Sequence, residues 1–151
     1  MKRQAGFTLI ELVMVIVILG ILSAFALPRF ADLGNEARAA ALKGAFGAIK
    51  SASSIAHAES LVNNNPGTVT LEGTVITMVN GYPAALAGAA GGIASAAQIV
   101  AADFTITGTS GTNTIITAKG ATTASDCQIT YTQAASGSSP TISIPDPLDC
   151  N

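Results

Sequence analysis

The sequence predicts an α+β protein in which a long N-terminal helix packs against a roughly four-stranded antiparallel sheet, giving a ladle-like outline. Three observations carry this. Apolar residues crowd between Phe7 and Leu27, where Glu11 is the one charged residue. From Phe30 to Val62 the pattern turns amphipathic with a helical period. Beyond Val62, short β-branched segments alternate with Gly, Asn, Ser and Pro at spacings that suit antiparallel hairpins.

A chain of 151 residues has room for one globular domain. As a helix, the apolar run spans roughly 30 Å, the thickness of a bilayer's hydrocarbon core. Lys2 and Arg3 precede it and no Lys or Arg interrupts it, which predicts a cytoplasmic N-terminus and a domain on the far side. Cys127 and Cys150 are an even pair late in a domain that would face an oxidising space, so a disulfide is expected. No metal site is expected, because the one histidine, His57, is far from that pair. The formal charge is −2, and without Lys2 and Arg3 it falls to −4. That is no basis for a nucleic-acid partner.

Three readings compete for the first 28 residues. A secretory signal peptide would use Lys2 and Arg3 as its basic region and be cut after Ala26. A plain membrane anchor would use the same run. Both leave Glu11 as an unexplained cost, since ionisable groups within a membrane are rare and usually paired. The third reading explains it. Gly6-Phe7-Thr8-Leu9-Ile10-Glu11, behind a short basic leader and ahead of an apolar run, resembles the type IV prepilin signature.

The resemblance implies that prepilin peptidase cuts between Gly6 and Phe7 at the cytoplasmic face of the inner membrane and methylates the new amine. The apolar helix is then retained. Residues 1–6 would be the leader, 7–28 the transmembrane and filament-core helix, and 29–151 the head. The partners implied are further copies in a helical filament and the pilus assembly machinery. The subunit would pass from the inner membrane to an extracellular pilus.

Cleavage would place a positive amine on Phe7, four residues from Glu11 and on the same helix face. In apolar surroundings each charge costs several kcal/mol unpaired and much less when paired. The resemblance implies that Glu11 meets the Phe7 amine of a neighbouring subunit and sets axial register, as a buried polar group does in a coiled coil. Pairing within one chain, or snorkelling of Glu11, is the plainer alternative. Gly20 and Pro28 are weak points of the helix, and relatives imply curvature and loosening there.

Leu42, Phe46, Ile49, Ser53 and Ala56 step along one face of the second helical stretch, while Glu36, Lys43, Lys50 and His57 step by seven along another. Asn63-Asn64-Asn65-Pro66-Gly67 ends the helix. His57 reads as a surface histidine. The chain carries no Gly-rich phosphate loop, no G-x-S-x-G motif and no triad, so neither enzyme activity nor a cofactor is expected.

Thr68–Val79 predicts one or two short strands, and Asn80-Gly81-Tyr82-Pro83 a turn. A short helix is expected from about Ile93 to Ala102. Strands are expected at Phe104–Thr107, Thr114–Ala118, Gln128–Thr132 and Thr141–Ile144. Asp126, Asp146 and Asp149 gather near the cysteines and read as surface acids rather than a calcium site.

Pro28-Arg29-Phe30, Val79-Asn80-Gly81-Tyr82-Pro83 and the late cysteine pair are most similar to mannose-sensitive haemagglutinin (MSHA-type) type IVa pilins. Residues 84–145 give no alignment. This finer resemblance implies surface adhesion, with a host or environmental ligand, and a part in biofilm formation or motility. The alternatives are a pseudopilin of a type II secretion system and a secreted binding protein with a conventional signal peptide.

Overall fold

The computed structural model describes residues 6–151, without the side chains of residues 27–32. Lys2 and Arg3, expected to be leader charges, and the side chain of Pro28 therefore lie outside the described part. The chain forms two compact units, Met1–Gly34 and Asn35–Asn151, and each is described by itself.

Helix α1 (Leu9–Val62) begins in the first unit and ends in the second, and the backbone is helical at Gly20 and at Pro28. It stops where the sequence turns to asparagines: Asn64 and Asn65 adopt φ of 61° and 55°, the left-handed region that Asn tolerates. The Asn65 N–H donates to the Ser60 carbonyl at 2.7 Å and closes the end of the helix.

In the second unit the chain continues through β1 (Thr68–Leu71), β2 (Thr74–Val79) and β3 (Tyr82–Pro83), an antiparallel sheet in sequence order. Both connections are two residues long. Glu72-Gly73 and Asn80-Gly81 place both residues at positive φ, the geometry whose twist matches a right-handed hairpin. The predicted turn at 80–83 is thus the tip of a β2–β3 hairpin, with Tyr82 and Pro83 already in the returning strand.

The helix expected at 93–102 is much shorter. Here α2 spans Ile93–Ala96. Gln98 takes φ of 53°, and the Ile99 N–H turns back to the Ala94 carbonyl at 2.9 Å. That reversal carries Ile99 into the core. Continuing the helix would have left it behind.

A second antiparallel sheet follows, in the order β4 (Phe104–Thr109), β5 (Asn113–Ala118), β6 (Gln128–Thr132) and β7 (Thr141–Ser143). It contains the four strands the sequence predicts. Side chains alternate as a pleated strand requires: Thr114, Ile116 and Ala118 of β5 and Ile129 and Tyr131 of β6 are buried. The cross-strand pair Ile116 and Ile129 meets Leu42 and Ile49 of α1 in the main core. A smaller core joins Ala56 of α1 to Val69, Ile76 and Met78 of the first sheet. The predicted helix face is therefore the packed one.

Candidate functional site

The chemistry-bearing residues of the sequence fall at the start of α1. Thr8 is the residue just before the helix, and Thr8 and Glu11 exchange hydrogen bonds through side chain and backbone. The Glu11 carboxylate accepts from the Thr8 N–H at 2.8 Å and from the Thr8 hydroxyl at 2.7 Å. The Glu11 N–H donates to the Thr8 hydroxyl oxygen at 3.3 Å. This is a capping box, which satisfies backbone donors that the first turn leaves unpaired. Its signal, Thr and Glu three residues apart ahead of an apolar run, is present in the sequence. Thr8 is not among the expected site residues, since a lone carboxylate in an apolar run points to a cationic partner and not to a hydroxyl three residues away.

Phe7 precedes the box and is 95% exposed. Its nitrogen is still an amide, joined to Gly6, so the amine expected to face Glu11 does not exist in the uncut chain. At Gly6 the backbone is open, with nothing among the described residues within 4 Å of where a side chain would begin.

From Leu9 to Ala26 the helix has a mean hydropathy of 2.7 and is long and apolar enough to cross a membrane. None of that window is buried within the described structure. Val13, Ile16, Ile18 and Leu22 are each exposed, and so is Gly20. An apolar helix bare on every side requires lipid or other protein around it.

The profile of the prokaryotic N-terminal methylation motif matches residues 1–27. This N-terminal stretch is similar to those of type IV pilins and of a type II secretion system core protein. The similarity extends to curated proteins. The type IV narrow pilus major component PilA5 of Thermus thermophilus is 54% identical over 54 residues, covering 36% of this chain and 47% of that protein. The type IV major alpha-pilin of Moraxella bovis is 46% identical over 52 residues, 34% of this chain and 33% of that pilin. Type II secretion system core protein G of Pseudomonas aeruginosa is 43% identical over 51 residues, 34% of this chain and 36% of that protein. The chain thus spans less than half the length of these curated relatives. No solved structure matches it.

The remaining site residues lie in the second unit, beyond the matched methylation motif. Cys127 and Cys150 form a disulfide with Cα atoms 4.8 Å apart, and both are buried. Beside it, the Arg38 guanidinium donates to the Asn35 side-chain oxygen at 2.8 Å and to the Cys150 carbonyl at 3.4 Å. Asn35 also bonds the Asn151 side chain. The C-terminal tail is thereby held against the Asn35–Arg38 turn of α1.

His57 departs from its surface reading. It is half-buried, its Nδ1 lies 2.7 Å from the Gly81 carbonyl, and its ring stacks on Tyr82 with centroids 4.0 Å apart. The helical period put it beside Lys50, but a two-residue hairpin reaches that far around the helix. Among the described residues, no three His, Cys, Asp or Glu side chains are grouped to hold a metal ion.

Proposed function

We propose that this chain is a structural subunit of a type IV pilus filament that mediates surface attachment. The observation that carries this is the bare apolar helix Leu9–Ala26 directly behind a methylation motif. Such a helix can leave a bilayer only for another apolar environment, and copies of itself supply one with little change in solvation. The subunit is held in the inner membrane first, N-terminus in the cytoplasm, and becomes part of an extracellular pilus after assembly. Prepilin peptidase removes residues 1–6 and methylates Phe7; residues 7–28 form the filament core and 29–151 the head. The role is structural rather than catalytic.

Glu11 acts in two settings on this reading. Before cleavage its charge is satisfied by Thr8. After cleavage the Phe7 amine of a neighbouring subunit competes for it and sets the register. Residues 28–30, 79–83 and the disulfide support an MSHA-type adhesive role. A second reading, a pseudopilin of a secretion system, is favoured by the match to core protein G. The disulfide around the tail supports the pilin instead.

Mass spectrometry of the mature N-terminus tests the proposal. A chain beginning at N-methylated Phe7 is expected. A start at Leu27 would eliminate pilin and pseudopilin together and leave a secreted protein. Recovery of the chain as the bulk component of sheared surface filaments separates the pilus from the secretion system.

A further inference from the structure

The outer face of α1 in the second unit carries opposite charges on its two flanks. Lys43 and Lys50 lie on one flank, both exposed, in the row that begins with Glu36 and ends with His57. The Lys50 ammonium sits 4.4 Å from the centre of the half-buried Phe46 ring, which holds it against the surface. The other flank borders a groove of about 500 Å³ between α1, the β1–β2 hairpin and α2. Its floor is Ala52 and Ile55 of α1 with Leu71 of β1, and its acids are Glu59 and Glu72.

The groove asks for a particular occupant. No Lys or Arg is among its lining residues, so its two carboxylates face no cation there. Glu72 is also fixed in place: it occupies a hairpin turn, and its carboxylate accepts from the Gln98 side-chain amide at 2.7 Å. A negatively charged lipid surface would be repelled. What fits is a cation mounted on apolar surface, and the chain carries one in Lys50 over Phe46. Lys50 and Ala52 point roughly 160° apart around the helix axis, so no single chain can bring the two patches together.

We propose that the Lys50–Phe46 flank of one copy docks into the Glu59–Glu72 groove of the next. This rests on the filament reading above. The two patches differ and face opposite ways, so the contact is heterologous and propagates from copy to copy instead of closing into a dimer. It is an interface of the heads, separate from the one made by the apolar helix, and weakens as salt rises.

Charge exchange in the full chain tests it, with filaments sheared from cells and measured against subunit held in the membrane. K50E and E72K are each expected to lower filament yield by about threefold or more, the effect of roughly one rim ion pair. The double variant K50E/E72K is expected to recover most of the loss. Unchanged yields in both single variants, or no recovery in the double, overturn the contact. A chain carrying K50C and E72C supplies a second measurement by mild oxidation. A ladder of covalent oligomers longer than dimers is expected, and dimers alone or none overturn the proposal. Absence of the wild-type chain from sheared filaments would remove the filament reading instead, and the ladder, sought in the membrane fraction too, still decides the contact.

Discussion

Thr8 and Glu11 satisfy each other: the carboxylate takes both donors of Thr8, and the Thr8 hydroxyl oxygen takes the backbone N–H of Glu11. A residue that the sequence presents as a costly charge in an apolar helix is therefore also the third residue of a helix cap. The two roles make different demands. Capping needs an acceptor at this position, whereas pairing with an amine needs a negative charge.

Substitutions at Glu11 separate those demands. Glu11→Gln keeps a side chain that can return to the Thr8 N–H but loses the charge; Glu11→Val loses both. We expect both variants to insert into the membrane and both to assemble poorly, since the proposed pairing with the Phe7 amine requires the charge. Thr8→Val should cost the cap about 1 kcal/mol and leave the carboxylate available. Filament yield relative to membrane-bound subunit is the measurement, and normal yield from Glu11→Gln would show that capping alone is what the position supplies.

The disulfide closes a segment with a sequence separation of 23 residues. In the chain-entropy model such a closure contributes about 3 kcal/mol. Cys127→Ser should lower the stability of the second unit by this order, read as the urea midpoint of its unfolding. An unchanged midpoint would mean that the Arg38 and Asn35 bonds hold the tail without the bridge.

Tyr131 is fully buried, and its hydroxyl donates to the Pro83 carbonyl at 2.7 Å, tying β6 to β3. Burial raises its pKa above the ordinary tyrosine value, with the Ser53 hydroxyl acting in the other direction. In the unfolded chain the phenol ionises near pH 10. The folded chain keeps the proton longer, so the stability this group contributes is present below that pH and is lost as pH rises above it. Tyr131→Phe should cost about 1–3 kcal/mol at neutral pH by leaving the Pro83 carbonyl without its donor. It should also flatten the alkaline loss of stability. Parallel alkaline profiles for both proteins would count against this account.

His57 ties the β2–β3 hairpin to α1 through a ring stack and a bond to the Gly81 carbonyl. His57→Ala should destabilise the second unit by about 1–2 kcal/mol. His57→Phe should recover the stacking part alone. Thermal unfolding of both variants checks the order, and equal losses would locate the whole effect in the hydrogen bond.

Much of the fold can be read from the sequence because its signals are local. The four strands of the second sheet follow from β-branched runs between turn residues, and the buried face of α1 follows from the Leu42, Ile49 and Ala56 spacing. What was not legible depends on contacts between distant segments. Small residues from Ala94 to Ala102 favour a helix, yet Ile99 is needed in the core and Gln98 reverses the chain to put it there. Glu72-Gly73 does not advertise itself as strongly as Asn80-Gly81, because Glu rarely takes positive φ. His57 has a surface period, and only the hairpin folding over it changes its surroundings. At the candidate site, the Gly6, Phe7 and Glu11 pattern is plain in the sequence, whereas the part Thr8 plays depends on the cap geometry.

The bond between Cys127 and Cys150 draws a covalent ring around β6, β7 and the exposed stretch Ala135–Ser139 between them. Segments inside such a ring can change length without losing their anchorage, since both ends remain fixed and each doubling of a flexible loop adds only about 0.6 kcal/mol of closure cost. Foreign peptide inserted at Ser138 would be carried between strands that are already pinned. The ring therefore makes the Ala135–Ser139 stretch a cassette, open to rewriting while β6, β7 and both cores stay the same.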